Sequence, residues 1–127
     1  MIGAIALASH VAGITYAAKQ ESIDRVGTLW PLALAVPLFV ALPVLFSGWI
    51  VIAAFILLLT TDAFALRLLV KRATLGAVPL AVSGLIAAIC LVDALAIAVA
   101  GGGILIVTIC ALGYPVTRLF QKSVPGT

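Results

Sequence analysis

The chain's 127 residues are 65% hydrophobic and only 9% charged, with a formal net charge of +3, whereas soluble domains carry roughly a quarter charged residues. A chain this short cannot hide so much apolar surface in its own core, so it reads as an integral membrane protein whose exterior meets lipid. Its basic residues are scattered singly or in pairs rather than gathered in a stripe, which leaves no electrostatic footprint for a nucleic acid.

The expected fold is all-α: a polytopic transmembrane helix bundle of about five spans forming one domain over residues 1–127, since a bilayer core takes about 20 apolar residues in helix. The first span is expected at residues 2–18. Its start, "MIGAIALASH", has no basic segment ahead of the apolar run and no small-x-small cleavage site, so it reads as a span rather than a signal peptide. It holds the single histidine, His10, among Gly3, Ala4, Ala8, Ala12 and Gly13, small residues that let another helix approach closely. One imidazole with no second ligand nearby favours an interhelical hydrogen bond over a metal or pigment ligand.

Residues 16–28, "YAAKQESIDRVGT", gather Lys19, Glu21, Asp24 and Arg25. A wet cytoplasmic loop accounts for them by itself. The alternative is chemical. Glu21 and Asp24 could hold Mg²⁺ against a lipid diphosphate, because that ion takes a few carboxylate oxygens and completes its octahedron with water and phosphate. Lys19 and Arg25 could bind the same diphosphate directly.

The second span, residues 29–46, carries Pro31, Pro37 and Pro43, which remove backbone donors and kink a helix unless its neighbours satisfy the freed carbonyls. The third, residues 49–70, contains Asp62 and Arg67, five positions apart and so outside the good helical pairings. The fourth, residues 77–100, contains Asp93, about 24 Å along the helix from its start. A carboxylate in hydrocarbon is costly unless paired, protonated or wetted, so both acids are candidates for function; an interhelical hydrogen bond is the first reading for each. Gly101, Gly102 and Gly103 form the turn into the fifth span, residues 104–120. Cys90 and Cys110 lie in apolar runs with no ligand at metal spacing and read as small buried thiols.

Lys19 and Arg25 follow the first span, Lys71 and Arg72 the third, and Arg118 and Lys122 lie at the end of the fifth, while the "SGW" and "GGG" loops are uncharged. The positive-inside rule then places the N-terminus outside and the C-terminus in the cytoplasm. Trp30 and Trp49 stand at opposite span ends as interfacial anchors. The expected location is the bacterial inner membrane.

"GITYAAKQES" at a span end, the Pro-rich span, "RLLVKRATLGAVPLAVSGLIAAICLVDALAIA" and the terminal "ALGYPVTRLFQK" together resemble the C-terminal half of UbiA-type intramembrane prenyltransferases. The resemblance implies a helical bundle that transfers a polyprenyl group from its diphosphate to an acceptor, with Mg²⁺ held by two acidic motifs. It puts Lys19, Glu21 and Asp24 in the region of the second motif, in degenerate form, and Asp93 in an "LDA"-like element that reads "VDA" here. The first motif, of N-x-x-x-D-x-x-x-D type, is missing from this sequence.

Two functions follow. One is half of a prenyltransferase, completed by a membrane partner that supplies the first motif. The other is a non-catalytic transmembrane subunit of a larger complex, packing against partner helices and lining a site for a quinone, lipid or pigment.

Overall fold

A computed structural model describes residues 2–19, 31–71 and 77–123 of the chain. Five α-helices account for most of them: α1 (Ile2–Lys19), α2 (Pro31–Ala41), α3 (Trp49–Lys71), α4 (Ala77–Val99) and α5 (Ile104–Ser123). Trp49–Val70, Val78–Val99 and Ile104–Ser123 are each long and apolar enough to cross a membrane. Helix is the form such sequences take in lipid, where every backbone polar group must be satisfied within the segment. The spans' hydroxyls follow the same rule. Thr60 donates to the Ile56 carbonyl at 2.9 Å, Thr61 to Leu57 at 2.8 Å and Thr108 to Ile104 at 2.7 Å, so none of them needs a neighbouring helix.

The Pro-rich segment departs from the continuous kinked span expected over residues 29–46. After the 11 residues of α2 the chain tightens into a six-residue 3₁₀ helix, Leu42–Ser47, with Pro43 in its first turn. Pro43 has no N–H to continue the α-helical ladder, and a short 3₁₀ turn is the usual substitute. Pro37 stays inside α2. It leaves the Ala33 carbonyl, four residues back, without its helical donor, and Ser9 of α1 supplies one, its Oγ lying 3.0 Å from Ala33 O.

α4 is the central helix, packing on α1, α3 and α5 and touching α2. Contact pairs run in opposite directions along neighbouring helices. Gly3 meets Ala96 while His10 lies by Leu85; Cys90 packs on Gly113 while Ser83 meets Arg118 and Gln121. The C-terminal ends of α1, α3 and α5 therefore share one end of the bundle, and with them Lys19, Lys71 and Lys122.

α1 and α2 approach closely at Gly13. A Cβ there would lie 2.8 Å from Leu34 Cγ and 3.2 Å from the Leu34 backbone nitrogen, so the contact requires a residue without one. At the other end of the bundle Gly101 adopts φ +79°. Gly102 N donates to Ile97 O at 2.8 Å and Gly101 N to Ala98 O at 3.1 Å, the Schellman pattern that closes α4 on a left-handed residue. Gly103 O then accepts from Ile106 and Val107 and opens α5.

The apolar core has two parts. One, toward the Gly101 end, gathers Leu38, Val51, Leu58, Leu91, Leu95 and Val107. The other, toward the cationic end, gathers Ile14, Leu34, Ala65, Leu69, Ala81 and Leu85. α5 contributes little to either, Val107 being its one buried residue.

Candidate functional site

The sequence's candidate residues that are described separate into three places. Glu21, Asp24 and Arg25 lie outside the described residues. Lys19 closes α1 at the cationic end, its side chain exposed. His10 and Asp62 lie in the middle of the bundle, and Asp93 and Arg67 on its surface.

His10 is 0% exposed and Asp62 is 4% exposed. Each stands nine residues before the cationic end of its helix, so both lie about 13 Å deep by helical rise. Asp62 falls between Leu58 of one core cluster and Ala65 of the other. The backbone of Leu34 and Leu85 comes within reach of the His10 ring. Yet neither ring nitrogen nor either Asp62 oxygen has a hydrogen-bond partner among the described residues. Among the described residues Asp62 thus lacks the expected interhelical hydrogen bond, and an unpaired polar group in such a place costs stability, whereas the His10 ring keeps the approach of the Leu34 and Leu85 backbone from α2 and α4. Arg67 points outward and makes no ion pair with Asp62. Asp93 is exposed on α4, between the residues that face α1 and those that face α5. Among the described residues no three of His, Cys, Asp and Glu come together as a metal site.

Cys90 and Cys110 are free and half-buried. The small-residue face around His10 divides: Gly13 serves the contact with α2, while Ala4, Ala8 and Ala12 are exposed.

One concavity among the described residues was missed by sequence reasoning. A cleft of about 690 Å³ opens between the start of α1, the end of α2 with the 3₁₀ helix, and the last turns of α4. Ala6, Val40, Pro43, Leu95, Ala96 and Val99 are among its walls, and every lining residue is Gly, Ala, Pro, Val or Leu. Its origin is local. Small residues on α1 and α4 leave space, and the change from α to 3₁₀ geometry at Pro43 keeps the second segment from filling it. Binding sites usually carry a few polar groups to orient a reactive part; no polar side chain lines this cleft, which suits it to a hydrocarbon tail. From Ala6 to Lys19 is about 20 Å by helical rise, so a headgroup held at the cationic end would lie well away from a tail in the cleft.

At the cationic end α4 and α5 are pinned by side chains. Arg118 Nη1 donates to Ser83 Oγ at 2.7 Å and to Gln121 Oε1 at 3.2 Å, and Gln121 Nε2 donates to Ser83 O at 3.1 Å. In the sequence Arg118 and Lys122 registered as topology charges alone. The signal that could have said more was their i, i+4 spacing on one face of α5 with Gln121 between them.

Comparison with known proteins returns no match: no family model, no curated protein and no solved structure aligns with the chain.

Proposed function

We propose that this chain is one half of a UbiA-like intramembrane prenyltransferase, which holds the hydrocarbon tail of a polyprenyl diphosphate in the cleft between α1, α2 and α4. The observation that carries the reading is the cleft itself, lined by aliphatic side chains at the Gly101 end of a bundle of apolar helices. Lys19 at the far end of α1, with Glu21, Asp24 and Arg25 just beyond it in sequence, supplies the right residue types for the diphosphate.

Two carboxylates three residues apart give only part of an Mg²⁺ ligand set. The remaining ligands would come from the partner's acidic motif, the diphosphate and water. Bound there, the ion would neutralise charge on the leaving diphosphate. Lys19 and Arg25 would bind diphosphate oxygens as that charge grows, the allylic C–O bond would break, and an acceptor carbon or oxygen would capture the carbocation with loss of a proton. The aliphatic walls would hold the far end of the tail, about 20 Å by helical rise from Lys19 and the reacting end.

A second reading has its own support: Asp93, Ala4, Ala8 and Ala12 are exposed, and α5 offers a nearly continuous apolar outer face. These surfaces suit a non-catalytic subunit packed in a larger membrane complex, whose cleft would hold a quinone, lipid or pigment tail.

The discriminating experiment follows diphosphate release from an allylic polyprenyl diphosphate in bacterial inner membranes. The chain is supplied alone, or with a polypeptide bearing the N-x-x-x-D-x-x-x-D motif. Half-enzyme function predicts release only with both present, dependent on Mg²⁺ and reduced about a hundredfold or more by Glu21→Gln. Copurification with a larger assembly at fixed stoichiometry, without release, supports the subunit reading instead.

A further inference from the structure

We propose that the groove between the cationic ends of α4 and α5 binds the phosphate of an anionic membrane phospholipid, with Arg118 and Lys122 as its cationic contacts. The groove encloses about 490 Å³, with Pro79, Leu80 and Ile86 as apolar walls and Ser83, Arg118, Gln121 and Lys122 as its polar part. This combination matches an amphiphile rather than a free ion.

Arg118 is half-buried and held in place before any ligand arrives. Among the described residues both of its hydrogen bonds leave from Nη1, to Ser83 and Gln121. A guanidinium carries five N–H donors, so those on Nη2 and Nε remain for an anion. Among the described residues neither Arg118 nor Lys122 has a carboxylate partner, and a partly desolvated cation at a membrane boundary requires a counter-charge. Lys122 follows by one helical turn and lines the same groove.

The carbonyl end of α5 carries partial negative charge, which stabilises the two cations but repels an anion. The ligand is thereby directed onto the side chains and into the groove. Leu80 and Ile86 are also open to the outside, so acyl chains leaving the phosphate have an apolar path along α4. Basic pockets between spans at the cytoplasmic surface are where anionic headgroups collect. None of this depends on prenyl transfer.

The test uses the full chain, delipidated in neutral detergent, with native mass spectrometry of bound phosphatidylglycerol, phosphatidylcholine and inorganic phosphate. Two cations at roughly fivefold each predict an overall preference of about twenty-five-fold for phosphatidylglycerol over phosphatidylcholine. Arg118→Gln with Lys122→Gln should abolish that preference. Lys122→Gln alone should lower it about fivefold; Lys122 is exposed and makes no hydrogen bond among the described residues, so this variant keeps the fold. A control of equal charge loss, Arg67→Gln with Lys71→Gln, should retain the preference. The proposal is overturned if the control loses it equally, if the double variant at Arg118 and Lys122 keeps it, or if inorganic phosphate alone binds as tightly as phosphatidylglycerol.

Discussion

Ser9→Ala removes the donor that α1 offers to the carbonyl left free by Pro37. The bond is 3.0 Å long and half-buried, and lies one helical turn from the close contact of Gly13 with Leu34. Interhelical hydrogen bonds in membranes are worth about 0.6 kcal/mol on average and about 1.7 at most. Here the loss also strands a carbonyl that has no helical donor, which adds to the cost. The expected destabilisation is therefore about 1–2 kcal/mol. Pro37→Ala restores the N–H that Ala33 lacks, so in that background Ser9→Ala should cost about 0.5 kcal/mol or less, leaving a coupling of about 1 kcal/mol. The assay is reversible unfolding in micelles by a denaturing detergent, run as a double-mutant cycle. Equal costs in the two backgrounds would refute the link between Ser9 and the proline.

Three further outcomes are expected. Asp62→Ala should stabilise the bundle by about 1–2 kcal/mol in the same assay, because a buried carboxyl without hydrogen bonds is removed and the side chain lost is small; destabilisation by more than about 1 kcal/mol would mean that Asp62 bonds to a group beyond the described residues. Gly13→Ala should cost about 1–3 kcal/mol by forcing α2 away from α1, and unchanged unfolding would contradict the approach at Leu34. Gly101→Ala should cost about 1 kcal/mol through its left-handed backbone, and Gly102→Ala more, since its Cβ would meet Ile97 O at 2.8 Å; the order of the two midpoints is the check.

The helices themselves were legible. The expected limits of residues 49–70 and 77–100 lie within a residue of α3 and α4, because the apolar runs stop at Lys71 and at the three glycines. The second span was less so: pattern shows that Pro43 interrupts a helix, but whether a kink or a 3₁₀ turn follows depends on neighbours. Pro37 shows the same dependence from the other side, since its freed carbonyl is satisfied by a serine 24 positions away from Ala33. His10 and Asp62 stood out as polar residues in apolar runs, yet their common depth follows from the directions of α1 and α3. The cleft left no mark in the sequence, because alanines, glycines and prolines on three separate segments bound it without any motif. Arg118 was visible as a charge, whereas its anchoring by Ser83 arises only once α4 and α5 pack.

The central claim is that the aliphatic cleft holds a prenyl tail, and photolabelling with a polyprenyl diphosphate bearing a reactive group at the tail end tests it most directly. Adducts are expected on Val40, Leu95 and Val99 of the cleft, with their loss when Ala96→Trp fills it. Adducts spread along the outer face of α5, at Ile109, Leu112 and Val116, and unchanged by Ala96→Trp, would contradict it.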